Sequence, residues 1–148
     1  MPAVRRNPLI EFLWSLHRWV YQASRGRLGS TVPGQLPVLL LTTTGRKTGL
    51  ARTHPLGYLT VDRGYVVIGS NAGEPRHPAW YHNLRARPEA MVQVGPKRFR
   101  VTSREAEGTE RERLWARVIE RDGAYAEYQR RTPRRIPLMV LERLPQHA

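Results

Sequence analysis

The chain has 148 residues, 40% of them apolar, enough for one domain with one core and too few for two. No apolar run approaches the roughly 20 residues that cross a bilayer, and the absence of cysteine excludes disulfides, thiolate metal sites and a thiol nucleophile. Basic residues outnumber acidic ones 25 to 12, and the net charge of +13 favours an anionic ligand, nucleic acid or an anionic membrane as partner.

Nearly all the basic residues are Arg, with Lys only at Lys47 and Lys97. They lie in every segment, without a stripe or an aromatic-interleaved platform, so no specific nucleic-acid partner is expected. The N-terminus carries no small-residue cleavage site after its apolar segment, and a cytoplasmic location is expected.

In chain order, Asn7-Pro8 reads as an N-cap with Pro at the first helical position. Leu9, Phe12, Leu13, Leu16 and Val20 follow at helical spacing, with Trp14 and Trp19 widening the apolar face and Arg residues flanking it. Residues 1–28 are therefore an amphipathic N-terminal helix. It either packs on the domain or on a second subunit, as in a homodimer, or it lies on the inner face of an anionic membrane. Residues 29–37, with Gly, Ser and Pro and no periodicity, form a linker to a domain spanning 38–148.

Val38 to Thr44 is the first strand. Arg52 to Val61 is the second, with Pro55 marking a bulge or an edge position. Asp62-Arg63-Gly64 predicts a three-residue hairpin into Tyr65 to Ser70. Pro78 opens a helix carrying Trp80, Tyr81 and Leu84. Strands Ala90 to Val94 and Lys97 to Arg104 flank a turn at Gly95-Pro96. Thr109 and Glu112 predict a capping box for a helix with Leu114, Trp115, Val118 and Ile119 on one face. A short helix from Tyr125 to Arg130 precedes Pro133, and Ile136 to Leu144 is the last strand. The connections are mostly too short for parallel crossovers. The fold class is mainly β or α+β, an antiparallel barrel of about six strands with inserted helices.

Several chemistries drop out. Thr44 to Gly49 lacks the preceding glycine of a Walker loop, and no helix follows it. The five histidines show no zinc-helix spacing, so no metal is expected. No Gly-x-Ser-x-Gly elbow is present. Binding, or chemistry borrowed from a cofactor, remains. In the Thr42 to Gly49 loop, amides, Thr hydroxyls, Arg46 and Lys47 could hold an anion, with Arg52 nearby; equally, the loop is a plain hairpin tip. Ser70 to Gly73 ends a buried-looking strand directly before the helix start at His77 to Leu84, a suitable place for the carbonyls of a planar ring. Tyr125 and Tyr128 share a helical face, as a packed pair or as a wall over a ring.

Leu40 to Gly49, Arg52 to Leu56, His77 to Tyr81, Asn83-Leu84, Tyr125 to Gln129 and Ile136-Pro137 stand in one order. In these blocks, over about residues 36 to 143, the chain resembles the deazaflavin-dependent nitroreductase family of actinobacteria. The resemblance implies a split β-barrel of the flavin-reductase type that binds coenzyme F420. It places the cofactor's anionic tail at Arg46, Lys47 and Thr48. It lines the ring and its sugar-like chain with Arg52, Thr53, His54, Pro55, Leu56 and Gly57, with Ile68, Gly69, Ser70 and Asn71, and with Ala79, Trp80, Tyr81, His82 and Asn83. The acceptor of hydride would be a small molecule: a quinone, an enone or a nitro compound. Ser70 and Tyr125 would donate to the acceptor oxygen, with Tyr125 also touching the cofactor, while Gly57 and Tyr128 shape the substrate pocket. Asn71 replaces a Lys found in many relatives, and Gly57 replaces an aromatic residue found in some. The alternatives are FMN in the same fold and a non-catalytic basic nucleic-acid-binding domain.

Overall fold

A computed structural model describes residues 34–145. The predicted N-terminal helix and most of the predicted linker lie outside the described residues. Six strands form a closed barrel: β1 (Val38–Thr44), β2 (Ala51–Val61), β3 (Gly64–Ile68), β4 (Glu89–Val94), β5 (Lys97–Glu105) and β6 (Leu138–Arg143). Their spatial order is β1-β2-β3-β6-β5-β4. Every pairing is antiparallel, as the short connections require. A 3-10 turn (Asn71–Gly73) and helix α1 (Ala79–Ala86) join β3 to β4, while α2 (Gly108–Arg121) and α3 (Ala124–Arg130) join β5 to β6.

Side chains alternate across each strand and feed two apolar clusters. Tyr65 and Val67 of β3 join Leu39, Leu41, Val92, Val101 and Leu141 in one, which Trp80, Tyr81 and Leu84 of α1 complete. Val66 and Ile68 join Leu59, Leu138 and Val140 in the other, against Leu114 and Val118 of α2. β3 is thus buried on both faces, which explains its unbroken apolar run.

Three local expectations change. Pro55 makes no bulge: the β1–β2 register runs unbroken from Ala51 to Gly57, with Pro55 opposite Leu40. Pairing of β2 with β3 begins only at Tyr58. The Tyr58 N–H donates to the Pro37 carbonyl at 3.0 Å, on the β1 side. By alternation the nitrogen of Pro55 points the other way, where no strand needs a donor. The edge reading of Pro55 therefore holds. The hairpin after β2 has two turn residues, Asp62 and Arg63, because Val61 pairs directly with Gly64. Gly64 belongs to the strand, and a Cβ there would run into the Leu141 carbonyl oxygen of β6. The capping box is absent. α2 starts at Gly108, in a left-handed conformation with φ 57°, so Thr109 falls inside the first turn, and no side chain caps the helix.

Candidate active site

The open side of the first half of β2 borders a cleft in two adjoining compartments, which share His54 and Ala79 as walls. The larger, about 580 Å³, is bounded by His54 to Gly57 of β2, by Ile68 and Ser70 to Ala72 beyond β3, and by His77 to Trp80 at the start of α1. Tyr125 and Tyr128 of α3 close it. The smaller, about 410 Å³, lies against Gly45 to Thr48, Arg52 and Asn83. Among the described residues neither wall contains a carboxylate, whereas Arg76 stands on the first and Arg46, Lys47 and Arg52 on the second.

The loop between β1 and β2 is closed on itself. The Gly45 N–H donates to the Leu50 carbonyl and the Gly49 N–H to the Gly45 carbonyl, both at 2.7 Å. Asn83 of α1 ties it down: its Oδ1 accepts the Arg46 N–H at 3.0 Å, and its Nδ2 donates to Thr43 Oγ1 at 3.0 Å. With both ends of its amide engaged and its side chain buried, Asn83 positions the loop.

The two tyrosines are both a packed pair and a wall. Their rings meet edge to face, 5.6 Å apart at 89°. The Tyr125 hydroxyl lies against Gly57, where a Cβ would come within 2.7 Å of it. An aromatic residue at 57 could not coexist with this placement. Burial pushes the Tyr125 hydroxyl up to about 12, with smaller contributions from Asp122 and Tyr128. It therefore keeps its proton, and with it the capacity to donate, at ordinary pH.

The strand end at Ser70 turns sharply. Asn71 and Ala72 adopt left-handed conformations at φ 45° and 53°, ahead of Gly73 at φ 79°. Non-glycine residues held there cost of the order of 1 kcal/mol each and persist only where surrounding structure imposes them. Arg134 imposes them from behind. Its guanidinium donates to the carbonyls of Gly69 at 3.0 Å, Ser70 at 2.7 Å and Glu74 at 2.9 Å.

The positive surroundings also act on the histidines. Burial lowers the pKa of His54, and Arg52 lowers it further. His82 is lowered by burial, Arg46 and Arg85. His77 is lowered by burial, then by Arg134 and His82.

Most of the predicted site residues stand on the cleft, from Arg46 to Thr48, Arg52, His54 to Gly57, Ile68, Ser70, Asn71, Ala79, Trp80, Asn83, Tyr125 and Tyr128. Four do not. Thr53 shares a hydrogen bond with Thr42 at 2.7 Å. Gly69 packs on Pro137 and donates to its carbonyl at 2.8 Å. The Tyr81 hydroxyl donates to Glu105 at 2.6 Å and accepts from Arg85 at 3.1 Å. His82 stacks edge-on against Tyr81. Conversely, Arg76 lines the cleft without any sequence signal, and Ala72, His77 and Pro78 line it although the sequence placed them only within the strand-end and helix-start stretch and gave them no role of their own. His77-Pro78 at least opens one of the motif blocks; nothing local marks Arg134 behind them.

The sequence pattern of the F420H(2)-dependent quinone reductase family matches residues 14–143. An F420H(2)-dependent quinone reductase of Mycobacterium tuberculosis strain H37Rv is 44% identical over 134 residues, covering 88% of this chain and 90% of that one. Among solved structures, the F420-H2-dependent reductase FDR-A is 44% identical, with a TM-score of 0.66 over 72% of this chain and 94% of its own. A domain-swapped dimer is 36% identical, with a TM-score of 0.67 over 92% of this chain and 100% of its own. HutZ, a heme storage protein of Vibrio cholerae, shares the barrel at a TM-score of 0.53 and 17% identity, over 88% of this chain and 92% of its own, which speaks for the fold alone. On these matches, the chain belongs to the F420H(2)-dependent quinone reductase family.

Proposed function

We propose that this chain is an F420-dependent reductase that delivers hydride to a quinone-type acceptor. Beyond family membership, one observation carries the reading. A compartment that is cationic and free of carboxylates among the described residues adjoins a slot bounded by Pro55, Leu56 and Ile68 and by two tyrosines. That division fits a polyanionic tail joined to a planar ring. Where the compartments meet stands the start of α1, whose amides no side chain caps. Such a helix start suits a phosphate between ring and tail.

In this reading Arg46, Lys47, Thr48 and Arg52 hold the tail through charge-assisted hydrogen bonds. His54 to Gly57, Ile68, Ser70, Asn71, Ala79 and Trp80 bound the ring. The bound group supplies hydride, and a quinone that takes up that hydride and one proton becomes a hydroquinone. Ser70 and Tyr125 donate to the acceptor oxygen where negative charge builds. Tyr128 forms a wall, and Gly57 leaves room for the Tyr125 hydroxyl.

FMN in the same cleft is the alternative, and it would leave most of the cationic compartment without an anion to meet. Fluorescence titration with F420, FMN and nicotinamide nucleotides separates the readings, together with oxidation of reduced F420 by a panel of quinones, enones and nitro compounds. F420 is expected to bind tightest and quinones to be reduced. Equal or tighter binding of FMN overturns the assignment.

No helix among the described residues is long and apolar enough to cross a membrane. We propose a cytoplasmic enzyme that meets the inner membrane face through residues 1–28 and forms a homodimer. The Trp and Leu face with its Arg flanks supports the first, and the dimeric relative supports the second. Sedimentation with anionic liposomes, lost on deleting residues 1–28, tests the first, and light scattering tests the second.

A further inference from the structure

His77 lines the larger compartment beside Pro78 and Ala79. Its Nδ1 lies 3.1 Å from Nη1 of Arg134. A guanidinium carries donors and no acceptor, so Nδ1 must accept and carries no proton. The single proton of the neutral ring then sits on Nε2. Among the described residues the ring makes no other hydrogen bond, and Nε2 keeps its donor for something else.

Arg134 is well placed to impose this state because it is itself fixed. Its other bonds run to the carbonyls of Gly69, Ser70 and Glu74, so one guanidinium holds both the backbone of the Ser70 turn and the ring of His77. The remaining groups around the imidazole are the Tyr81 ring at 4.5 Å and the His82 ring at 5.8 Å. Among the described residues the charged ones are Arg134 and Arg85, opposed by Glu105 alone. Burial and these cations hold the imidazole below its ordinary range, which favours the neutral ring at pH 7 and above.

We propose that His77 presents its Nε2–H to a carbonyl oxygen of a planar conjugated ring in the cleft, and that Arg134 is the positioning residue that fixes this tautomer. A neutral imidazole in this role polarises the carbonyl without surrendering its proton. The oxygen belongs either to the quinone or to the cofactor ring. Only that identity rests on the proposed function; the tautomer does not.

The test starts with the apo full-length protein, labelled with ¹⁵N histidine, and long-range proton–nitrogen correlation spectra at neutral pH. One tautomer is expected for His77, with the proton on Nε2. In Arg134→Ala this preference weakens to the mixture of tautomers that a free imidazole shows. Removing the cation in Arg134→Ala also raises the pH at which the ring titrates. A wild-type ring protonated on Nδ1 overturns the proposal.

Addition of F420 and of 1,4-naphthoquinone separately then shows which ligand moves the Nε2–H signal. His77→Phe keeps a ring of similar size and removes the donor. If the quinone oxygen is the partner, kcat/KM for 1,4-naphthoquinone falls about tenfold or more with cofactor affinity unchanged. If the partner is the cofactor carbonyl, cofactor binding weakens by about tenfold instead. His77→Gln, which keeps an N–H near Nε2, should recover part of either loss. Neither quantity changing in His77→Phe, or equal losses in both variants, overturns the donor role. A wild-type protein unable to oxidise reduced F420 would sink the proposed function, while the apo spectra would still decide between the tautomers.

Discussion

Within β2, residues Ala51 to Gly57 pair with β1 and leave their other edge to the cleft, whereas Tyr58 to Val61 change partner and pair with β3. The side chains follow. Thr53 to Gly57 are only half-buried, while Tyr58 and Leu59 are 4% and 2% exposed. One strand thus serves as a cleft wall and as a core ladder, with partnering on its second edge deciding which. The proline that would break a central ladder sits harmlessly in the half that has no second partner.

The contrast should fail most severely at Gly64, which pairs with Val61 in the core half. Gly64→Ala places a methyl group against the Leu141 carbonyl, which belongs to backbone and cannot swing aside. A loss of about 4 kcal/mol or more is expected, read from the denaturant midpoint. A loss under about 1 kcal/mol would mean that β6 yields easily and that the core half is not the rigid one.

In the cleft half, Tyr125→Phe removes only the hydroxyl beside Gly57. Turnover is expected to fall about 10²-fold, with cofactor affinity within a few-fold and the melting temperature unchanged. Unchanged turnover would leave Tyr125 as a packing wall and Ser70 or water as the donor. Next in size is the double substitution Arg46→Ala, Lys47→Ala. Both residues are exposed, so each contact contributes about 0.5–1 kcal/mol and the pair about tenfold in F420 affinity at low salt. Because salt screens the wild-type contacts, that difference should shrink as ionic strength rises. A dissociation constant unchanged at low salt would return the loop to a plain hairpin tip.

The smallest expected effect concerns pH. An acid whose pKa is raised keeps its proton to higher pH, and the Tyr125 hydroxyl is held up to about 12. Its donor role should therefore survive the region near 10 where an ordinary tyrosine ionises. A descending limb of kcat near 10, present in the wild type and absent in Tyr125→Phe, would contradict this placement against Gly57.

What could be read ahead of the structure was what is contiguous. Alternation and turn residues placed β1, β4 and β5 almost to the residue, and two of the motif blocks border the cleft in nearly contiguous stretches, Arg52 with His54 to Gly57 and Ile68 with Ser70 and Asn71. What escaped depends on distance or rotation. Arg134 acts on residues about sixty positions away. It is one of 25 basic residues, all but two of them Arg, so its neighbours give no hint. Around α1, each residue turns the side chain by about 100°. Ala79 and Asn83, four apart, therefore reach the smaller compartment, while Trp80 and Leu84 enter the core. Tyr81 enters the core beside Trp80, and His82 falls between, although both stand in the same motif. The Thr109 capping box failed because Gly108, one residue earlier, had already begun the helix.

The single amide of Asn83 joins three things that ligand binding would otherwise disturb separately: Thr43 in β1, the Arg46 amide in the loop and the helix that starts at Ala79. A pull on the loop is transmitted directly to the wall of the ring compartment. Occupation of one compartment should then prepay part of the ordering that the other requires, so that a ring without its tail and a tail without its ring bind more weakly than their separate contacts would suggest. On the proposed function, the cleft recognises its ligand as a whole.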